Sequence, residues 1–234
     1  MRFATALTSA TLVRRYKRFL SDHRLADGAV IKAHCANPGT MMGLNQPGMA
    51  TWLSRATNPA RSLPWSWELV KAGRALVGIN TSHPNGLVAD AIRDGAIAEL
   101  AGYATLRREV RYGVDSRIDI LLEDAGRPPC YVEVKNVHLS RRSGLAEFPD
   151  CVTARGAKHL RELAQVVADG GRAVMVYLVQ RADCRSFALA ADIDPGYAAA
   201  LDEARAAGVE TLCYQCNVKR SGIIVDRRLP FDGS

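Results

Sequence analysis

Asp119, Glu133 and Lys135 are the residues whose types and spacing point most directly to chemistry. They lie in Arg117-Ile118-Asp119-Ile120-Leu121-Leu122 and Tyr131-Val132-Glu133-Val134-Lys135-Asn136-Val137, both largely apolar and strand-like. Side chains alternate between the two faces of a strand. Glu133 and Lys135 therefore share one face, and Val132 and Val134 the other. A hairpin would set Asp119 beside them. Burying three charged groups is costly unless they pair or bind a metal. Two carboxylates from adjacent strands can hold Mg²⁺ or Mn²⁺ through oxygen ligands. Such an ion lowers the pKa of a bound water and neutralises charge developing on a phosphate. A lysine can orient that water or stabilise the anionic transition state. The plain alternative for Glu133 and Lys135 is a structural salt bridge.

Asp followed by Glu-x-Lys is the pattern of the PD-(D/E)xK nuclease superfamily. The pattern is short and common by chance. Its order here raises its weight: helix, strand, strand with Asp, strand with Glu-x-Lys, helix. Glu99 falls on the helix before the hairpin, where that superfamily often places a further acid. The helical stretch Val152–Ala168 carries Arg155, Lys158 and His159 at spacings of three and four, on one face. That face could hold phosphate or the attacking water, or it could simply be solvated.

The elements that must position these groups can be read from periodicity. Leu87–Ala101 has a helical period with Gly102 at its expected stop. Strand-like runs follow at Thr105–Tyr112, Ser116–Leu122 and Cys130–Val137, parted by Gly113 and by Gly126-Arg127-Pro128-Pro129. After the second helix, Ala173–Val179 reads as a strand buried on both faces. Tyr197–Ala207 reads as a third helix and Val209–Val218 as a further strand. This order describes a helix-flanked α/β core. Leu139–Glu147, with Arg141 and Arg142, reads as a mobile basic loop.

The first third is built differently. Asn37-Pro38-Gly39, Gln46-Pro47-Gly48, Asn58-Pro59 and Ser62-Leu63-Pro64 punctuate short segments at Ala29–His34, Thr51–Ser54, Ser66–Lys71 and Ala75–Ile79. That pattern suggests a small β-barrel or sandwich. Residues 1–80 hold 11 Lys/Arg against 3 Asp/Glu and all three Trp, whereas residues 81–234 hold 20 against 21. The whole excess of positive charge thus lies before Thr81–Gly86, the expected boundary between a basic domain, 1–80, and a second domain, 81–234. A basic domain of this kind suits a polyanion. Arg14, Arg15, Lys17 and Arg18 are its candidate phosphate contacts, and strand alternation would set Tyr16 with Arg14 and Arg18. Tyr16 and Phe19 interleaved with these cations would suit stacking on single-stranded nucleic acid, but the favoured reading puts Val13, Tyr16 and Phe19 in the barrel core. His34 and Asn37 flank a turn, which Asn37 could stabilise.

Other classes recede. The 234 residues are 48% apolar and 24% charged, an ordinary globular balance. No apolar run approaches the roughly 20 residues of a membrane span. The N-terminal basic cluster follows a small apolar patch, the reverse of a secretory signal, so a cytoplasmic protein is expected. The six cysteines are scattered, and Cys213-Tyr-Gln-Cys216 has no second pair to complete a zinc site. Buried free thiols are expected. GxGxxG and GxxxxGK[ST] are absent, which leaves no sign of a small-molecule cofactor. No helix-turn-helix signature is evident.

Longer blocks carry a family resemblance. They are Leu12–Leu20, His34–Gly39, Trp67-Glu68-Leu69, Asn80-Thr81, Glu109–Gly113, Ser116–Asp119, Tyr131–Lys135 and Phe148–Asp150 through Thr153–Gly156 to Lys158-His159-Leu160. In these the chain resembles, essentially end to end, the SfsA family of sugar fermentation stimulation proteins. The resemblance implies an N-terminal OB-fold barrel and a C-terminal PD-(D/E)xK nuclease-like α/β domain that binds DNA. It assigns Asp119, Glu133 and Lys135, with Glu99, to the nuclease core, and Asp119 and Glu133 to Mg²⁺ or Mn²⁺. Asn136 stands where the resemblance implies a serine. Two functions follow: metal-dependent hydrolysis of DNA, or a non-catalytic DNA-binding regulator of sugar (maltose) utilisation genes. Strand preference and oligomeric state are left open by the sequence.

Overall fold

The computed structural model describes residues 1–58, 60–112 and 116–232. Pro59, in the expected Asn58-Pro59 turn, and Gly113, the expected break between two strands, lie outside the described residues. The first six strands are β1 (Thr8–Tyr16), β2 (Leu20–Arg24), β3 (Val30–His34), β4 (Ala50–Arg55), β5 (Trp65–Ala72) and β6 (Ala75–Gly78). They pair in the order β3-β2-β1-β4-β5-β6. A parallel contact of Ala33 and His34 with Trp65 and Ser66 closes β3 onto β5. This is a five-stranded barrel, which removes its sheet edges. Its core holds Leu12, Ala33, Leu53, Trp67 and Val70, and the Trp67 indole N–H donates to the Leu69 carbonyl at 2.9 Å.

The second part begins with helix α1 (Pro84–Arg93). Proline at its first turn needs no amide partner there. The helix stops well short of Gly102. Gly95 takes φ +73, and its N–H reaches the Ile92 carbonyl at 3.1 Å, while Ala96 N–H reaches Ala91 at 2.8 Å. That left-handed stop sits inside the apolar period and was hidden by it. Glu99 consequently lies on a separate 3-10 turn, Ala98–Leu100.

Strands β7 (Thr105–Tyr112), β8 (Ser116–Asp124) and β9 (Arg127–Val137) form an antiparallel meander. Arg127, Pro128 and Pro129 belong to β9 rather than to the turn before it. Next come β10 (Leu145–Phe148), α2 (Ala154–Ala168), β11 (Arg172–Val179), β12 (Ser186–Leu189), α3 (Pro195–Ala206), β13 (Glu210–Lys219) and β14 (Gly222–Arg228). The main sheet runs β14-β13-β11-β9-β8-β7, with β9, β11 and β13 parallel. β10 and β12 make a separate parallel pair, and neither they nor β14 stood out in the sequence. Thr153 caps α2 by accepting the Gly156 N–H at 3.1 Å.

The sheet is covered on both faces. α2 and α3 pack on Val137, Tyr177, Val179 and Cys213, while α1 and barrel residues Trp52 and Leu69 pack on Val132, Val134, Leu178 and Cys216. Cys213 and Cys216 thus belong to opposite faces, and all six cysteines are free thiols. The expected basic loop is pinned instead: Arg141 binds Glu147 at 2.7 Å and Asp192 at 2.8 Å. Barrel and sheet are also joined directly. Gly78 N–H donates to the Gln180 carbonyl (2.8 Å), and Met41 N–H to Asp150 (2.9 Å). Among the described residues no helix is long and apolar enough to cross a membrane.

Candidate active site

Strand β8 changes face at Asp119. Ile118 and Leu121 pack toward α2 and α3, whereas Ile120 and Leu122 pack toward α1. Asp119 emerges at that change into a hollow of about 650 Å³, shared with Glu133 and Lys135 of β9 and Arg155 and His159 of α2. The barrel contributes Pro38 to the wall, and Thr81, between the barrel and α1, also lines the hollow.

Glu133 is 3% exposed. Its Oε1 accepts the Lys135 ammonium at 2.7 Å and a short contact from His159 Nδ1. Arg155 Nε donates to His159 Nε2 at 3.2 Å, which leaves the ring proton on Nδ1, facing Glu133. Burial pushes the Glu133 carboxyl up, but His159 and Lys135 outweigh it and hold the group below the usual carboxylate range. Its second oxygen, Oε2, is buried and has no hydrogen-bond partner among the described residues. Asp119 behaves oppositely. Burial first, and the Glu133 charge second, push its carboxyl up to about 6. Val134 N–H and Asn85 Nδ2, each at 2.7 Å, partly oppose that rise.

The structure brings together Asp119, Glu133, Lys135, Arg155 and His159. It leaves Lys158 outside, 53% exposed and 3.5 Å from Glu162. Glu99 does not join them either. Its carboxylate is taken by Tyr214 Oη at 2.6 Å and Arg228 at 2.9 Å, away from the hollow. The acid that does line it is Glu109 on β7, with Asn85 of α1 donating 3.0 Å to its Oε1. Glu109 holds φ +54, a strained conformation for a residue with a side chain. Arg108 pairs with Ile120 and Val110 with Ile118, which sets Glu109 opposite Asp119. Glu109 and Asn85 were missed. Alternation on one strand says nothing about which residue a third strand or a helix start supplies.

The first-domain cations also differ from expectation. Arg14 pairs with Asp22 at 2.7 Å, and Arg15 donates to the carbonyls of Asn37 (2.7 Å) and Gly39 (2.8 Å), holding the loop behind Pro38. β1 ends at Tyr16, and Lys17 and Arg18 form a left-handed turn with φ +48 and +59, so Arg18 leaves the face of Arg14. The core position is Leu12, whereas Phe19 is 45% exposed. Asn37 accepts Gly39 N–H at 2.9 Å and so does stabilise its turn.

Among the described residues no three His, Cys, Asp or Glu side chains close a ready-made cation cage. The donor set still suits a hard divalent ion, because the buried Glu133 Oε2 lacks a partner among the described residues and burial, with the Glu133 charge second, pushes the Asp119 carboxyl up.

A closed OB barrel joined to a helix-flanked mixed sheet, with an acidic and lysine-bearing hollow at their junction, defines a two-part α/β protein. Residues 13–79 match the SfsA N-terminal OB domain, and residues 82–222 match the sugar fermentation stimulation protein RE domain. The chain belongs to the SfsA family. It is 63% identical to the sugar fermentation stimulation protein homolog of Rhodospirillum centenum, covering 98% of each chain. It is 58% identical to that of Paramagnetospirillum magneticum, covering 99% of this chain and 98% of the relative. Pyrococcus furiosus SfsA, solved in complex with Ca²⁺, superposes with a TM-score of 0.90 at 26% identity, covering 99% of this chain and 98% of that one.

Proposed function

We propose that this protein binds DNA and hydrolyses its phosphodiester bonds with a divalent ion, Mg²⁺ or Mn²⁺, held by Asp119 and Glu133. The observation that carries the reading is the unpartnered, buried Oε2 of Glu133 beside a carboxyl pushed up to about 6. A pocket that only bound phosphate would gain nothing from buried carboxylates, which repel it. The Ca²⁺ in the Pyrococcus furiosus relative supports a divalent ion here. When bound, that ion would supply Lewis acidity and neutralise phosphate charge. The chain's own groups do the rest. Lys135 and His159 occupy Glu133 Oε1 and thereby leave Oε2 as the free donor of that carboxylate. Lys135 also stabilises an anionic phosphorane-like transition state. Arg155 and Arg117, which line the same hollow, orient the phosphate. Asn85 holds Asp119 in place.

Cleavage of labelled single- and double-stranded DNA with Mg²⁺, Mn²⁺ or EDTA tests this, with wild type beside Glu133→Ala. Metal-dependent cleavage that disappears in the variant is the expected result. Binding without cleavage by either protein would refute hydrolysis and leave a DNA-binding regulator of sugar-utilisation genes.

A further inference from the structure

A second hollow, about 540 Å³, adjoins the first. His34 and Ala36 line one and Pro38 the other; Ser82 and His83 line one and Thr81 the other. The divide is two chain segments, tied where Thr81 N–H meets the Ala36 carbonyl at 2.8 Å. Arg2, Arg55 and Arg61 bring three exposed guanidinium groups to this groove. None has an ion-pair partner among the described residues. Arg55 lies over the Trp65 ring at 5.6 Å, and Arg61 donates to Ser66 (3.1 Å) and faces His34 (3.4 Å). The one carboxylate at the groove, Glu68, is already held by Ser54 (2.7 Å), Asn80 (2.9 Å) and His83 (2.7 Å). At its mouth Phe19 stacks on His34, centroids 6.4 Å apart and planes 24° apart, with 45% of Phe19 exposed. An exposed aromatic in the β1–β2 turn faces, across the end of β3, an arginine from the β4–β5 loop.

We propose that this groove holds single-stranded DNA. Bases stack on Phe19 and His34, Arg55 and Arg61 take phosphates, and the strand passes over Thr81 into the hollow of Asp119 and Glu133. A duplex presents no free base face to Phe19, whereas every unpaired base does. The inference rests on the DNA-binding reading but not on hydrolysis.

The test is fluorescence anisotropy of a labelled oligothymidylate about a dozen nucleotides long, in EDTA, so that absent cleavage cannot affect it. Phe19→Ala should weaken binding roughly tenfold, and Phe19→Trp should restore it. Arg55→Ala/Arg61→Ala should lower the slope of log affinity against log salt by about 1.4, at roughly 0.7 per phosphate on a single strand. Thermal melts of the variants confirm folding. Wild-type affinity and salt slope in folded variants would overturn the proposal. So would an equal loss for single strand and duplex in Phe19→Ala.

Discussion

Gly39→Ala should destabilise the protein only while Asp150 is present. A Cβ at Gly39 would meet the Asp150 carboxylate oxygens at 2.6 and 2.7 Å. Gly39 has no left-handed φ, so the cost is contact and not backbone strain. The carboxylate cannot step aside freely. It accepts Met41 N–H (2.9 Å), Thr40 Oγ1 (3.3 Å) and His138 Nε2 (3.3 Å). Displacing it should cost about 2 kcal/mol. Asp150→Ala alone should cost about 3 kcal/mol, because the Met41 amide and the buried His138 lose their acceptor. In the double variant the added methyl meets an empty space, so the total stays near 3 rather than about 5 kcal/mol. Urea unfolding of the three variants, compared at equal slope, reads these values. Additive losses would refute the reasoning. Acid supplies a second reading. Burial pushes the Asp150 carboxyl up, but His138 and the Met41 amide outweigh it and hold it at about 2. Below its ordinary value of 3.8 the unfolded chain binds the proton first, so stability falls as pH drops from about 4 toward 2, by about 2 kcal/mol. Asp150→Ala should lack that loss.

Glu109→Gln should weaken binding of the proposed Mn²⁺ roughly tenfold by calorimetry, whereas Glu99→Gln should leave it unchanged; the reverse would return Glu99 to the site. Under native conditions a thiol reagent should modify Cys151 rapidly, because the other five cysteines are buried. Denaturation should expose all six, and rapid native labelling of Cys213 or Cys216 would contradict the packing described.

What the sequence made legible is what local period encodes. β-alternation placed Glu133 and Lys135 on one face of β9, and turn residues marked the barrel strands from β3 onward. Two kinds of information stayed hidden. The first is where a period ends: Gly95 stops α1 with a left-handed turn inside a continuing apolar pattern, so Glu99 was carried onto a helix it does not join. The second is which charged groups are consumed locally. Arg14, Arg15 and Arg141 read as free cations, yet each is held by a carboxylate or a carbonyl far away in sequence or across a turn. Glu109 needed three dimensions, since Asn85 and Asp119 come to it from other elements.

The seam between barrel and sheet has a metric consequence. Thr81 is bonded to Ala36, Gly78 to Gln180, and Asp150 to Met41, so the groove and the acidic hollow cannot slide past each other. If DNA is gripped at Phe19 as proposed, it would reach Glu133 after a fixed number of nucleotides. The molecule would act as a ruler: products trimmed from a held end would share one length, and loosening the seam would blur that length before it abolished cutting.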